Sequence, residues 1–234
     1  MGIMQPYFFP YFGYFQLIAQ SDIIVLHDDV QYIKGGWVNR NRILTQGAPR
    51  WLTFSVLKAP HHLRINERQY QRGQGAAEKL LQSIEAAYRR APHFVETFPL
   101  LREIMQFEDD NVAAFNGHLV CRLADHLGIR TRILVSSELD KADQLTGQER
   151  VVDICKRLGA SLYINPIGGV DLYQAERFRE GGIKLRFLKP RKISYPQIDD
   201  PPVGNLSIID VMMFNDRSAI SALLDECSLV CAEG

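Results

Sequence analysis

Three titratable side chains stand in a row at His27, Asp28 and Asp29, directly after the uninterrupted apolar run Ile23-Ile24-Val25-Leu26. A strand covered on both faces has no polar alternation, and groups at its carboxyl end face the crevice in which open α/β sheets bind ligands. An imidazole exchanges a proton near neutral pH without help from its surroundings. Adjacent carboxylates repel one another, so burial would push one of them up in pKa and make it a proton acceptor. Strand side chains alternate, which places His27 and Asp29 on one side and Asp28 on the other. The chemistry open to this trio is proton transfer to or from a substrate, an attacking amine included.

Other candidates surround it. Lys34, Arg40 and Arg42 place three cations within nine residues, and paired guanidinium groups offer the forked geometry that grips phosphate. They flank Gly35-Gly36, which would allow close backbone approach to a ligand, and stand among Gln31, Tyr32, Trp37 and Asn39. Upstream, a Pro-punctuated loop from Gln5 to Phe12 holds Gln5, Tyr7 and Tyr11, with Tyr14 just beyond. These aromatics are too crowded to point one way, so some must pack while others line a pocket, where a tyrosine hydroxyl reaches a sugar hydroxyl or a base edge. Asn165-Pro166-Ile167-Gly168-Gly169 leaves a second apolar run. Its backbone donors suit phosphate, and Asn165, Gly168, Gly169, Asp171 and Tyr173 join the candidates. Ser207 begins an apolar helix and either caps it or binds an anion.

The elements that position these groups follow from periodicity. A short entry strand, a helix over about 13–20 and the strand at 23–26 form a crossover, which requires a parallel sheet. A hairpin or loop excursion turns at Gly35-Gly36, and residues 50–57 read as a half-buried strand. Three helices follow between about 76 and 128 with apolar residues three and four apart, and Gly128 ends the last. Strands are expected at 131–136, 162–164 and 183–188, with a helix capped by Thr146 between the first two. The fold class is therefore α/β, a mainly parallel Rossmann-like sheet with helices on both faces and an all-helical insertion, within a single domain over 1–234.

Composition narrows the partners. With 27 basic and 27 acidic side chains in 234 residues, no net field recruits nucleic acid or anionic membrane. No apolar run approaches the roughly 20 residues of a membrane span, and the start carries no basic leader or small-residue cleavage site, so a cytoplasmic protein is expected. Cys121, Cys155, Cys227 and Cys231 form no CxxC pair and read as buried or incidental thiols. His61-His62 lacks further ligands at useful spacing, so no metal is expected, and His93, His118 and His126 read as helix-surface or capping residues.

The blocks QPYFFPYFGYFQLI, DDVQYIKGGWVNRN from Asp28 to Asn41, LYINPIGGVDLY from Leu162 and LSIIDVMMFN from Leu206 resemble the WbqC-like protein family, known from bacterial surface-polysaccharide gene clusters. The resemblance implies a transferase of lipopolysaccharide or O-antigen biosynthesis that places a glycyl or other acyl group on the amino group of a nucleotide-activated sugar. It favours Asp28 or Asp29, on which the motif centres, over His27 as base or amine anchor. It also gives the sugar or base to the aromatic loop and the diphosphate to Lys34, Arg40 and Arg42. The donor would be an acyl thioester, on coenzyme A or on an acyl carrier protein, although neither leaves a motif here. The loop and helix after the first strand are also similar to nucleotidylyltransferase-type α/β folds. There a His-x-Gly-His motif contacts the nucleotide phosphates, but Tyr11-Phe12-Gly13-Tyr14 lacks both imidazoles. Nucleotidyl transfer or ATP-dependent carboxylate activation stays open as an alternative, as does a noncatalytic sugar-nucleotide-binding protein.

Overall fold

The apolar run after the first helix is strand β2, Ile23–Leu26. In the computed structural model, which describes residues 1–73, 75–198 and 201–231, it pairs in parallel with β1, Gly2–Met4, and with β5, Arg132–Val135. Beyond β1 come β6, Leu162–Pro166, and β7, Lys184–Pro190, both parallel. The strand β8, Cys227–Val230, closes that edge antiparallel to β7. In chain order the six strands lie 3-2-1-4-5-6, the arrangement of dinucleotide-binding doubly wound folds, whose ligands lie where the order reverses. Here the reversal falls between β1 and β6.

Alternation along β2 sends Ile24 and Leu26 into one core and Val25 into the other. The larger core receives α1 (Phe12–Ala19), α2 (Ala76–Tyr88), α3 (Phe94–Met105), α4 (Val112–His126), α7 (Ile208–Phe214) and α8 (Arg217–Leu224). The smaller takes α5 (Gly147–Arg157) and α6 (Ala175–Glu180). Each helix earns its place by its stripe: in α4, Val112, Phe115, Leu119 and Leu123 are fully buried, and each such side chain contributes about 1.5–3 kcal/mol. Asn111 caps this helix by accepting from the Ala113 and Ala114 amides, and Gly128 ends it at φ 73°, a left-handed value that costs glycine little. Thr146 precedes α5 without a side-chain capping bond, so that expected cap does not form.

Between β2 and β5 the chain makes an excursion from His27 to Thr131, longer than the all-helical insertion expected from periodicity. A hairpin of β3, Arg40–Thr45, and β4, Ala48–Thr53, precedes the three helices. It turns at Gln46-Gly47, where both φ values are positive, 52° and 72°, as tight two-residue hairpin turns require. Gly35-Gly36 makes only a local turn, the Gly36 amide donating to the Ile33 carbonyl. The strand read at 50–57 is β4, shifted toward the turn; at Phe54 the chain leaves it, and that amide donates to the Asn39 carbonyl.

The aromatic loop divides its residues as crowding requires. Phe8, Phe9, Tyr14 and Phe15 are fully buried, and the Phe8 ring packs against Phe54, Tyr70 and Phe115. One buried side chain pins this region. Asn116, on α4, donates from Nδ2 to the Pro6 carbonyl (3.0 Å) and the Val38 carbonyl (2.8 Å), and its Oδ1 accepts from the Tyr70 hydroxyl (2.8 Å). Replacement Asn116→Leu strands the Pro6 carbonyl and weakens the hold on the Tyr70 hydroxyl in a dry core. We expect a loss of about 2–4 kcal/mol, read as a lowered urea midpoint at unchanged m-value; a shift below about 0.5 kcal/mol would show that the pin carries little.

Candidate active site at the carboxyl end of the sheet

At the end of β2 the expected alternation holds. Asp28 turns toward the larger core and Asp29 toward α5. The Asp28 carboxylate is almost wholly buried. Its Oδ1 accepts from the Ser137 amide (2.9 Å), and Oδ2 accepts from the Ser137 hydroxyl (2.6 Å) and Asn66 Nδ2 (3.2 Å). A carboxylate offers about four acceptor sites, so about one remains for a ligand. Asp28 lines a cavity of about 400 Å³ under α4, together with Asn66, Asn111, His118, Cys121 and Glu138. Leu26, Ile133 and Val135 at the strand ends form its floor, and the small residues Ala113, Ala114 and Gly117 keep α4 from filling it. Among the described residues its charged lining is Asp28 and Glu138, without Lys or Arg. Burial, reinforced by the Arg122 charge, lowers the His118 imidazole from its ordinary value, which keeps it neutral at pH 7.

On the opposite face Asp29 serves a different end. Its Oδ2 lies 3.1 Å from Lys141 Nζ and 3.6 Å from the Arg150 guanidinium, with the three side chains 4%, 3% and 9% exposed. Burial alone would raise the Asp29 carboxyl, but the Ser136 hydroxyl and the Lys141 ammonium beside it outweigh that and hold it below the ordinary carboxylate range. Arg150 also donates to the Leu145 and Asp143 carbonyls, and Lys141 to that of Ser136. The cluster therefore clasps the segment 136–146 to the strand end, and Asp29 is an ionised anchor poorly suited to take a proton. His27 Nε2 lies 3.7 Å from Asp29 Oδ1, and neither atom has a hydrogen-bond partner among the described residues. Burial, with the Arg150 and Lys141 charges adding to it, lowers the His27 imidazole despite the two carboxylates.

The remaining candidates scatter. Gln5 leaves β1 and Asn165, Gly168 and Gly169 leave β6, so these four flank the reversal of strand order. Asn165 is occupied with Tyr163 and the Pro166 carbonyl, Tyr173 lies against Tyr163, and a Cβ on Gly169 would collide with Asn165 Nδ2 at 2.2 Å. Tyr14 gives its hydroxyl to the Gln5 carbonyl and, being fully buried, supports the loop rather than facing a ligand. Tyr7 is half-buried, its hydroxyl pushed up to about 12 by burial. Tyr11 lines a second cavity of about 420 Å³ between α1 and the stretches 190–198 and 201–206, beside Arg191 and Lys192. Ser207 is buried; its hydroxyl accepts from the Ile209 amide, which caps α7, and donates to the Phe9 carbonyl.

The three cations expected to hold a phosphate have these partners. Arg40 spends its fork on the Gly35 and Gly36 carbonyls while lying 4.2 Å over Trp51, and Arg42 donates to the Asn205 carbonyl beside Trp37. Lys34 is exposed. Tyr32 and Asn39 bond to one another, and Gln31 donates to the His61 carbonyl. Sequence reasoning missed Asn66, His118, Ser137, Glu138, Lys141 and Arg150. Arg150 alone left a signal, a cation on the same helical stripe as Val151 and Ile154. Among the described residues no three His, Cys, Asp or Glu stand as a metal site, and no helix is long and apolar enough to cross a membrane.

Residues 5–222 match the WbqC-like protein family. A protein of Mycobacterium tuberculosis (strain ATCC 25618 / H37Rv) described as uncharacterized protein Rv1507c is 34% identical over 167 residues, 70% of this chain and 71% of its own length. No solved structure matches at a significant level.

The buried ion cluster makes a quantitative expectation. Asp29→Asn leaves two buried cations uncompensated and should cost about 3–5 kcal/mol in urea unfolding at pH 7. Because the folded-state pKa of Asp29 lies below its unfolded value, the stabilisation is fully present above about pH 4 and is lost as pH falls through the folded value. The gap between wild type and variant should therefore close only in acid; equal stability at pH 7 would remove Asp29 from this role.

Proposed function

The chain belongs to the WbqC-like protein family, and from that premise we propose that it transfers an acyl or aminoacyl group to the amino group of a nucleotide-activated amino sugar in surface-polysaccharide biosynthesis. The observation that carries this reading is the cavity beneath α4, whose charged lining is acidic and whose buried carboxylate, Asp28, keeps about one acceptor site unused. Such a lining favours an amine over a hydroxyl or a phosphate. The strand order 3-2-1-4-5-6 supports a nucleotide portion, and the second cavity, with Arg191 and Lys192, suits the anionic part of one of the two substrates.

In this reading Asp28 accepts an N–H of the amine and orients it. Neutral His118 takes the proton that the nitrogen loses as it attacks the acyl carbonyl carbon. The C–N bond forms, the thioester C–S bond breaks, and the departing sulfur receives the proton from the imidazolium. Cys121 lines the same cavity, but burial, with Asp125 adding to it, pushes its thiol up. It stays protonated at neutral pH, which favours direct transfer over an acyl-cysteine intermediate. The donor is an acyl thioester of coenzyme A or of a carrier protein.

Calorimetry with a nucleotide-linked 4-amino sugar and its hydroxyl counterpart tests the acceptor. Wild type should prefer the amine, and Asp28→Asn should lose about tenfold or more of that preference. With an acyl thioester present, kcat should rise with pH through an acid limb below 6.5, because only the neutral imidazole accepts a proton, and His118→Gln should abolish that limb while leaving KM nearly unchanged. Tight binding of ATP with Mg²⁺ and none of the amino sugar would instead support nucleotidyl transfer or carboxylate activation. Amino-sugar binding without turnover, indifferent to Asp28→Asn, would support a noncatalytic binding protein.

A further inference from the structure

The net charge of zero conceals a segregated block. From Val30 to Asn66 the chain carries Lys34, Arg40, Arg42, Arg50, Lys58 and Arg64 and not one Asp or Glu. None of these six stands in an ion pair among the described residues. The same block presents large apolar side chains to solvent: Ile33 is 61% exposed, Trp37 43% and Trp51 49%.

Ile33, Lys34, Trp37, Arg40, Arg42 and Trp51 form one patch on the outward face of the β3–β4 hairpin. Arg42 and Trp51 are cross-strand partners and so share a face. The Trp37 and Trp51 rings lie 5.2 Å apart between centroids. Arg40 covers the Trp51 ring and reaches the Gly35 and Gly36 carbonyls, which joins the indoles to the Ile33-Lys34 turn. Exposed apolar patches rimmed by charge mark interaction surfaces.

We infer that this aromatic and basic face of the hairpin docks the protein reversibly on an anionic lipid surface, with Trp37, Trp51 and Ile33 at the headgroup boundary and Lys34, Arg40 and Arg42 above them. Indoles favour that boundary, and clustered cations near it are attracted by acidic headgroups. Two features favour lipid over nucleic acid. The most exposed residue of the patch, Ile33, is aliphatic and offers a base nothing to stack on, while it gains from entering an acyl boundary. Arg40 gives N–H groups of Nε and Nη2 to its own backbone, which leaves it fewer donors for a phosphate fork while its charge still acts on a surface.

The test reads the patch directly, because Trp37 and Trp51 are the two tryptophans of the chain. Full-length protein is titrated with vesicles containing about one-third phosphatidylglycerol, with vesicles of phosphatidylcholine alone, and with a single-stranded RNA oligomer. Tryptophan emission and cosedimentation are followed. A blue shift and pelleting with the anionic vesicles, weakened by salt and much smaller on neutral vesicles, are expected. Lys34→Glu, a change of two charges at an exposed turn, should weaken partition about tenfold or more, and Ile33→Asp should reduce the blue shift, with near-ultraviolet dichroism confirming that both variants stay folded. Absence of shift and pelleting with the anionic vesicles overturns the inference. So does RNA binding at lower concentration than the vesicles, which would make the patch a nucleic-acid surface.

Discussion

A strand reverses its side chains at every residue, and the site depends on that reversal at the end of β2. Asp28 and Asp29 are neighbours in sequence, yet one serves the cavity under α4 and the other the ion cluster beside α5. The two are mechanically linked. Asp29, through Lys141 and Arg150, holds down the segment 136–146, and that segment supplies the Ser137 amide and hydroxyl that orient Asp28. A charge buried on one face of the sheet thus sets the direction of a carboxylate on the other. The cost of burying Asp29 is offset by two cations and by the carbonyls that satisfy them.

Polar hubs in apolar surroundings recur as the means of holding irregular chain. Asn116 ties the aromatic loop to the excursion. Asp210, wholly buried on α7, accepts from the hydroxyls of Tyr88 (2.9 Å) and Tyr195 (2.7 Å) and from Gln197 Nε2 (2.6 Å). Burial raises its carboxyl despite these three donors. Gln197 in turn exchanges bonds with both backbone groups of Val203, so one carboxyl closes the proline-rich strap over the second cavity. Every polar atom of the Asn116 and Asp210 side chains has at least one partner, the condition under which a buried polar network specifies a single arrangement. Irregular segments line both cavities because hubs of this kind let loop backbone pack without unpaired groups.

Much of this was legible in the sequence, for physical reasons that also mark the limit. The run Ile23 to Leu26 declared a strand covered on both faces, and the period of the residues from 76 to 128 declared three helices. The consecutive acids at the strand end declared a candidate site and, through alternation, their opposite directions. Their partners were not legible, since Ser137, Lys141 and Asn66 reach them across tertiary space from polar stretches that resemble any solvated loop. The partners of Lys34, Arg40 and Arg42 were not legible either, for a local reason. A guanidinium five residues from Gly35 reaches that turn's carbonyls, and the stack on Trp51 keeps it there. The helix α8 and the strand β8 left no signal because both are short, and Ser228 and Leu229 of the edge strand face solvent.

The long interruption between β2 and β5 makes sense as a way to build at the ligand edge without disturbing the sheet. Closing a longer loop adds little, since the entropic cost grows only with the logarithm of its length, and the register from Ile23 with Arg132 to Leu26 with Val135 is unbroken. An insertion at this point leaves from a carboxyl end, so its first residues, His27 to Asp29, stand in the crevice. It must return to an amino end, so its last helix, α4, spans the sheet and roofs the cavity that Asp28 lines. The hairpin between them is free of the core's demands on its outer face. That freedom is what allows a chain of zero net charge to collect there both of its tryptophans and cations that stand in no ion pair among the described residues, while the cavity a few residues upstream stays acidic.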